Sequence, residues 1–400
     1  MRKLFMLRLA IAAIASLVGI DLVGIDCQAQ TYSGGQHTRS LIAQPIDESK
    51  RISLAGNTPR ASTRENDRGA APDSLPMEHM QLLLERPPEL EQELQKLIDE
   101  LHRKGSPVYH HWLTAKQLGE RFGVSPLDMD RVTDWLGAHG FRVDGVMTNG
   151  LVIEFSGTAG QVREAFHTQI HNLEVKGKPH IANMSDPEIP AAMAGVVKGI
   201  HALHNFMPHS MRAAHPEFTL PLSTGPPLYI VAPADLATIY NLNPAFSAGI
   251  TGAGQTVAVI GDSGLRNPGD WTTFRNNFGL STYSSGSFNQ VNPSGSLSCG
   301  NPGVNSNEFE AALDAEWASA AAPGAAIELA SCQDTTTVFG GLIAFENLIN
   351  GANLPSIASI SFGQCEAANG AAANQTYVVT YQQAAAEGIS VFVAAESRCL

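Results

Sequence analysis

Between residues 77 and 205 the apolar positions change period several times, and each change marks an element. The run 79–84 reads as a strand, broken by Pro87-Pro88. Leu90, Leu94, Leu97, Ile98 and Leu101 then recur every three or four residues and predict an amphipathic helix over 89–104. Thr114 with Gln117, and Ser125-Pro126 with Asp128, carry helix-start chemistry, the second helix running through Trp135 and Leu136 to Gly140. Residues 141–147 and 151–155 alternate like half-buried strands around the turn Thr148-Asn149-Gly150. A helix over 158–166 and a strand over 169–175 follow. This order predicts an α+β domain over 76–206, ferredoxin-like, with an antiparallel sheet built from split βαβ units.

The second half has a different rhythm. Residues 207–232 hold Pro208, Pro216, Pro221, Pro226 and Pro227 without helical period and read as an exposed linker and processing region. Beyond it, apolar runs of strand length at 255–261, 326–331, 356–362 and 389–395 alternate with helical stretches near 308–322, 336–350 and 371–387. Buried strands alternating with helices predict a parallel α/β sheet, whose sites lie at the carboxyl ends of its strands. A fourth strand at 389–395 with no covering helix after it makes 233–400 an incomplete α/β domain on this reading.

Composition sharpens the division. Residues 1–215 carry 24 acids against 22 Lys plus Arg, while 216–400 carry 14 acids against three Arg, with no Lys after Lys198 and no His after His215. Such a surface suits neither nucleic acid nor anionic lipid, and a catalytic histidine cannot come from the second half. Met1-Arg2-Lys3, the apolar run 4–20 and Cys27-Gln28-Ala29 read as a secretory signal, 1–29, predicting a secreted chain with no membrane anchor after its removal. Residues 30–75 are polar and without period, and are expected to be a flexible lead-in. Export makes disulfides among Cys299, Cys332, Cys365 and Cys399 plausible, with three pairings open; their wide spacing fits no zinc motif. His110, His111, His167 and His171 lack clustered acidic or thiol partners and read as surface or packing residues.

One helical stretch carries chemistry. In Asn307-Glu308-Phe309-Glu310-Ala311-Ala312-Leu313-Asp314-Ala315-Glu316-Trp317, Glu310 and Asp314 stand four apart on one face beside an apolar stripe of Leu313, Trp317 and Ala320. Alone, the pair reads as a solvated acidic face.

The residues around it resemble the sedolisins, or serine-carboxyl peptidases, with a kumamolisin-type activation domain. The resemblance rests on His111-Trp112-Leu113-Thr114, Phe155-Ser156-Gly157-Thr158 and Ile189-Pro190 in the first domain. In the second it rests on Thr251-Gly252-Ala253-Gly254-Gln255, Glu310-Ala311-Ala312-Leu313-Asp314, Ala322-Pro323-Gly324 and Ser359-Ile360-Ser361-Phe362-Gly363. It implies a subtilisin-like α/β domain in which Glu310 is the base and Asp314 its partner, with Ser359, Ser361 and Gly363 on the strand that binds an extended polypeptide substrate. It implies a monomeric zymogen active in acid, with its own activation domain as intramolecular inhibitor. Asp262, ending the strand 255–261, reads as a loop residue with at most a local role.

The resemblance also sets expectations about what the chain lacks. Where the family has Gly-Asp-Ser-Gly with an oxyanion-stabilising aspartate, this sequence reads Glu396-Ser397-Arg398-Cys399. The family's nucleophilic serine and its calcium ligands (Ca2+) are expected beyond Leu400, so that no metal ligand is assigned in this chain. These points predict a truncated peptidase, inactive alone. The alternative is a non-catalytic inhibitor or folding aid acting through residues 77–205.

Overall fold

The protein is described by a computed structural model over residues 39–211 and 231–395. The expected leader at 1–29, the linker residues 212–230, and Cys399 lie outside the described residues. The amino-terminal strands are β1 (Arg51–Ser53), β2 (Asp67–Ala70), β3 (Pro76–Leu84), β4 (Arg142–Val146), β5 (Val152–Thr158), β6 (Ile170–Val175), β7 (Lys178–Asn183), β8 (Glu188–Pro190) and β9 (Val197–His201). The main sheet is antiparallel, in the order β4-β5-β3-β9, with β2-β6-β7 and β1-β8 as smaller sheets. Helices Pro126–Ala138 and Ala159–Phe166 bury Leu136, Val162 and Phe166 with Met80, Leu82 and Phe155 of the sheet. The helix starts follow the sequence chemistry. Thr114 and Gln117 form a reciprocal capping box, and the Ser125 hydroxyl accepts from the Asp128 amide at 3.1 Å.

The expectation of a flexible lead-in is corrected for residues 39–75. The Asp128 carboxylate accepts from the Ser40 hydroxyl at 2.6 Å, the Leu41 amide at 2.8 Å and the Ile42 amide at 3.0 Å, and Ile42 is fully buried. Farther on, β1 pairs with β8 and β2 with β6. Few apolar residues are needed because a distant acid satisfies the backbone, and such a partner leaves no local period to read.

In the second half, β11 (Thr256–Gly261), β12 (Ser287–Val291), β13 (Ala326–Ser331), β14 (Ile357–Ile360) and β16 (Ser390–Val393) form a parallel sheet of order β12-β13-β11-β14-β16. Side chains of β11 alternate between two cores. Val257 and Val259 pack with Ala311 and Ala315 of helix Glu308–Ala321, while Ala258 and Ile260 share a core with Ile343 and Phe345 of helix Gly340–Ile349. The edge strand β12 escaped the sequence reading because Ser-Phe-Asn-Gln-Val pairs on one side only and needs little apolar surface.

The linker expectation is also corrected for residues 207–211. β10 (His209–Ser210) pairs antiparallel with β15 (Phe362–Gly363), and the Met211 amide donates to the Ser361 carbonyl at 3.0 Å. The ladder is main-chain hydrogen bonding, to which proline count and polarity are blind.

The β3/β9 sheet packs on helices Gly340–Ile349 and Glu366–Ala386, and one core runs through both halves. Polar contacts cross this junction. Gln81 donates to Glu346 at 2.8 Å, His201 Nδ1 lies 3.1 Å from the Thr376 hydroxyl, and His204 Nε2 lies 3.0 Å from the Asn369 carbonyl. A loop of the second half also docks there. The Ser298 amide donates to Glu154 at 3.2 Å, a Cβ at Gly145 would fall on the Ser296 carbonyl oxygen, and Asn347 holds the loop by bonds to Pro293 and Leu297. The Cys299–Cys332 disulfide fastens its end to the segment after β13.

Candidate active site

Glu310 and Asp314 lie in the first two turns of helix Glu308–Ala321, which packs across β11 and β13. The helix start is fixed from the end of β11. Asn307, its N-cap, donates to both Asp262 carboxylate oxygens at 2.8 and 3.1 Å, and Asn305 donates to the Asp262 carbonyl at 2.7 Å. Glu310 is buried and Asp314 half-buried, so the acidic face is turned inward and not solvated. Both acids lie by the carboxyl ends of the parallel strands, as the strand order requires.

Two side-chain hydrogen bonds reach the pair, and a main-chain bond ties their donors' segments together. Ser361, directly after β14, bonds through its side chain to Asp314, while its carbonyl takes the Met211 N–H. The Ser210 hydroxyl donates to Glu310 Oε2. His209 pairs with Gly363 and Ser210 with Phe362, so an extended segment of the chain lies along β15 with a side chain on Glu310. Gly363 makes room for it, since a Cβ there would stand 2.8 Å from Met211 Sδ and 3.3 Å from its Cγ. Of the three residues expected on the peptide-binding strand, Ser361 and Gly363 meet this segment. Ser359 lies inside the sheet, paired with Val259 and Phe392. Beside β15 opens a cavity of about 600 Å³, lined by Pro208, Phe339, Leu342, Phe345, Phe362 and Tyr377 among others.

Burial pushes the Asp314 carboxyl up to about 6, with the Glu310 charge adding to the rise and the Ser361 hydrogen bond opposing it. Asp334 is likewise pushed up to about 6 by burial, despite the Gly340 amide it accepts at 2.7 Å, and Asp262 beside it adds like charge. Asp262 itself is raised by burial against its bonds from Asn307. The carboxyl ends of β11 and β13 therefore carry a set of acids held toward their neutral forms.

Calcium takes six to eight oxygen ligands. Among the described residues the one cluster of metal-ligating type is His79, Asp144 and Glu154. It offers an imidazole nitrogen, and its carboxylates already accept from Arg142, Ser156 and the Ser298 amide. It does not fit a calcium site, and it lies in the amino-terminal sheet.

Sequence reasoning missed two contributors. Asp262 is no bystander, since it holds the N-cap of the helix bearing both acids; Asn305 and Asn307, two apart before that helix, were its only local sign. Ser210 was read as part of an exposed linker, and no local pattern connects it with an acid 100 residues away.

Residues 63–206 match the family model described as pro-kumamolisin, activation domain. The chain is 26% identical to xanthomonalisin of Xanthomonas sp. (strain T-22) over 294 residues, covering 68% of this chain and 35% of that protein. It is 24% identical to sedolisin of Pseudomonas sp. (strain 101) over 308 residues, covering 74% and 50%. It is 26% identical to kumamolisin of Bacillus sp. (strain MN-32) over 357 residues, covering 87% and 62%. The chain thus spans between about a third and three fifths of the length of these relatives. Residues 63–206 thus bear a match to a pro-kumamolisin activation domain, and the similarity to xanthomonalisin, sedolisin and kumamolisin supports the sedolisin family for the chain.

Proposed function

We propose that this chain carries the base half of an acid peptidase site, with Glu310 as general base and Asp314 as its partner, in a secreted proenzyme that acts on polypeptides. The observation that carries the reading is an extended segment paired on β15 that brings a hydroxyl onto Glu310. Edge pairing of this kind is how a cleft holds a peptide independently of its sequence. Glu310 would take the proton of an attacking hydroxyl and return it to the leaving amine, the role of histidine in a serine triad. A histidine would be protonated in acid. Asp314, its carboxyl pushed up to about 6 by burial, is instead held toward its neutral form in acid beside Glu310. No nucleophile is assigned, and no step is routed through calcium.

The activation domain would serve as intramolecular inhibitor, since the segment that follows β9 is the one lying on β15. Its antiparallel sheet with two packed helices supports a ferredoxin-like reading, and the parallel sheet supports a subtilisin-like one. No helix of the described residues is long and apolar enough to cross a membrane.

The test is hydrolysis of a denatured protein substrate at pH 3–5 by the purified chain and by its Glu310→Ala variant. Loss of a general base is expected to lower the rate by roughly 100-fold or more. Equal background rates in the two proteins would sink catalysis by this chain and leave it with the reading of a truncated peptidase inactive alone.

A further inference from the structure

We propose that His79, Asp144 and Glu154 form a binding site for one divalent transition-metal ion of the zinc type, on the main sheet of the activation domain. The inference does not rest on the peptidase reading above.

The three residues come from adjacent strands, and the backbone departs from regular pairing to bring them together. Glu154 lies on β5, between β3 and β4. The register of β3 against β5 shifts between Met77 and Met80, and that of β4 shifts between Val143 and Gly145, so His79 and Asp144 fall in irregularities on either side of β5. Bulges of this kind re-aim a side chain that a regular ladder would point elsewhere. His79 has in addition a φ of 58°, a left-handed conformation uncommon outside glycine. Each residue offers one ligand atom, and the three atoms lie within 4.8 Å of one another. His79 Nδ1 stands 3.1 Å from Glu154 Oε1 and 4.0 Å from Asp144 Oδ2. These two distances bracket the roughly 3.4 Å that separates ligands on a tetrahedral zinc ion.

The surroundings support the ligands from behind. The second Glu154 oxygen accepts the Ser298 amide at 3.2 Å, and the second Asp144 oxygen accepts from Arg142. The Ser156 hydroxyl donates to Asp144 Oδ2, and its oxygen accepts the His79 N–H at 2.9 Å, so one side chain orients two ligands. Carboxylates that ligate a metal are themselves hydrogen-bonded in this way. Charge points to a cation as well. Glu78, Asp144 and Glu154 face the cluster against Arg142, and the Asp144 and Glu154 side chains are only 7% and 1% exposed. Buried carboxylates call for a counter-charge, and one divalent ion balances these two. An imidazole with two carboxylates suits zinc and its neighbours, whereas calcium takes oxygens alone and more of them. His79, 20% exposed, leaves the ion a way in from solvent.

The test titrates the full chain, stripped with a chelator, with Zn2+ alone at pH 7 in a calorimeter. One ion per chain is expected to bind at this site, and excess Ca2+ is expected not to displace it. His79→Gln and Glu154→Gln are expected to weaken binding by roughly 100-fold, and Ser156→Ala, which removes only the orienting hydroxyl, by roughly tenfold. His171→Ala, whose ring meets Asp67 instead, is expected to change nothing and controls for binding at other histidines. A second readout needs no variant and so does not depend on any variant folding. In the parent chain Zn2+ is expected to abolish labelling of the His79 ring by diethyl pyrocarbonate while sparing that of His171. No Zn2+ binding by the parent, equally tight binding in His79→Gln, or His79 labelling unchanged by Zn2+ overturns the proposal.

Discussion

At Ser361 one residue serves two neighbours, its side chain bonded to Asp314 and its carbonyl to the Met211 amide. The acid pair and the ladder between β10 and β15 therefore share a single fixed point. Much of this was legible, because Glu310, Asp314, Ser361 and Gly363 each sit in short motifs with the spacing of a helix face or a strand end. What stayed hidden is what arrives from far along the chain, as Ser210 does at Glu310. Asp128 shows the same limit outside the site. Burial alone would raise its carboxyl, but bonds from Ser40, Leu41, Ile42 and Ser125 outweigh it and hold the carboxyl below the usual aspartate value. Asp128→Ala would strand two backbone amides, so a loss of about 3 kcal/mol is expected in urea unfolding, with faster amide exchange over 39–43. A change within 0.5 kcal/mol, roughly the size of a neutral surface substitution, would show that Asp128 does not anchor this segment.

The elements were readable in proportion to how much of their burial is local. Helices Pro88–His102 and Glu308–Ala321 announce themselves by period and stop signals, whereas β12 and β10 depend on partners that the pattern does not contain. Helix Gly340–Ile349 is buried at every position, so its period says nothing about Glu346 within it. Burial pushes the Glu346 carboxyl up to about 8, with Glu154 adding to the rise while Gln81 and Thr380 oppose it. The junction thus holds the neutral acid. That contribution is complete below about pH 4.5, its unfolded value, and is lost as the pH climbs through about 8. Glu346→Gln keeps the shape without the titration, and its urea midpoint is expected to fall less than that of the parent between pH 5 and 8. Parallel curves would show that Glu346 does not govern the junction. His201 works in the other sense. Burial pushes it down to about 3, with His204 adding to the shift, so its contribution is present above about 6.5 and is lost as the pH falls toward 3.

Across the whole described molecule, the two halves are joined by a continuous core and by the loop ending at the Cys299–Cys332 disulfide. Gly145 is a tight point of that seam, where a Cβ would stand 1.9 Å from the Ser296 carbonyl oxygen. Gly145→Ala must push the loop away. Overpacking of this kind is expected to cost about 1–3 kcal/mol and to speed amide exchange both at 296–299 and at 207–211, reporting on seam and cleft together. Faster exchange at the loop alone would mean that the seam does not hold the segment in the cleft. The segment on β15 is tied to β9 by the short stretch 202–208. Being tethered, it meets Glu310 at an effective concentration that a short linker sets in the millimolar range, however dilute the protein.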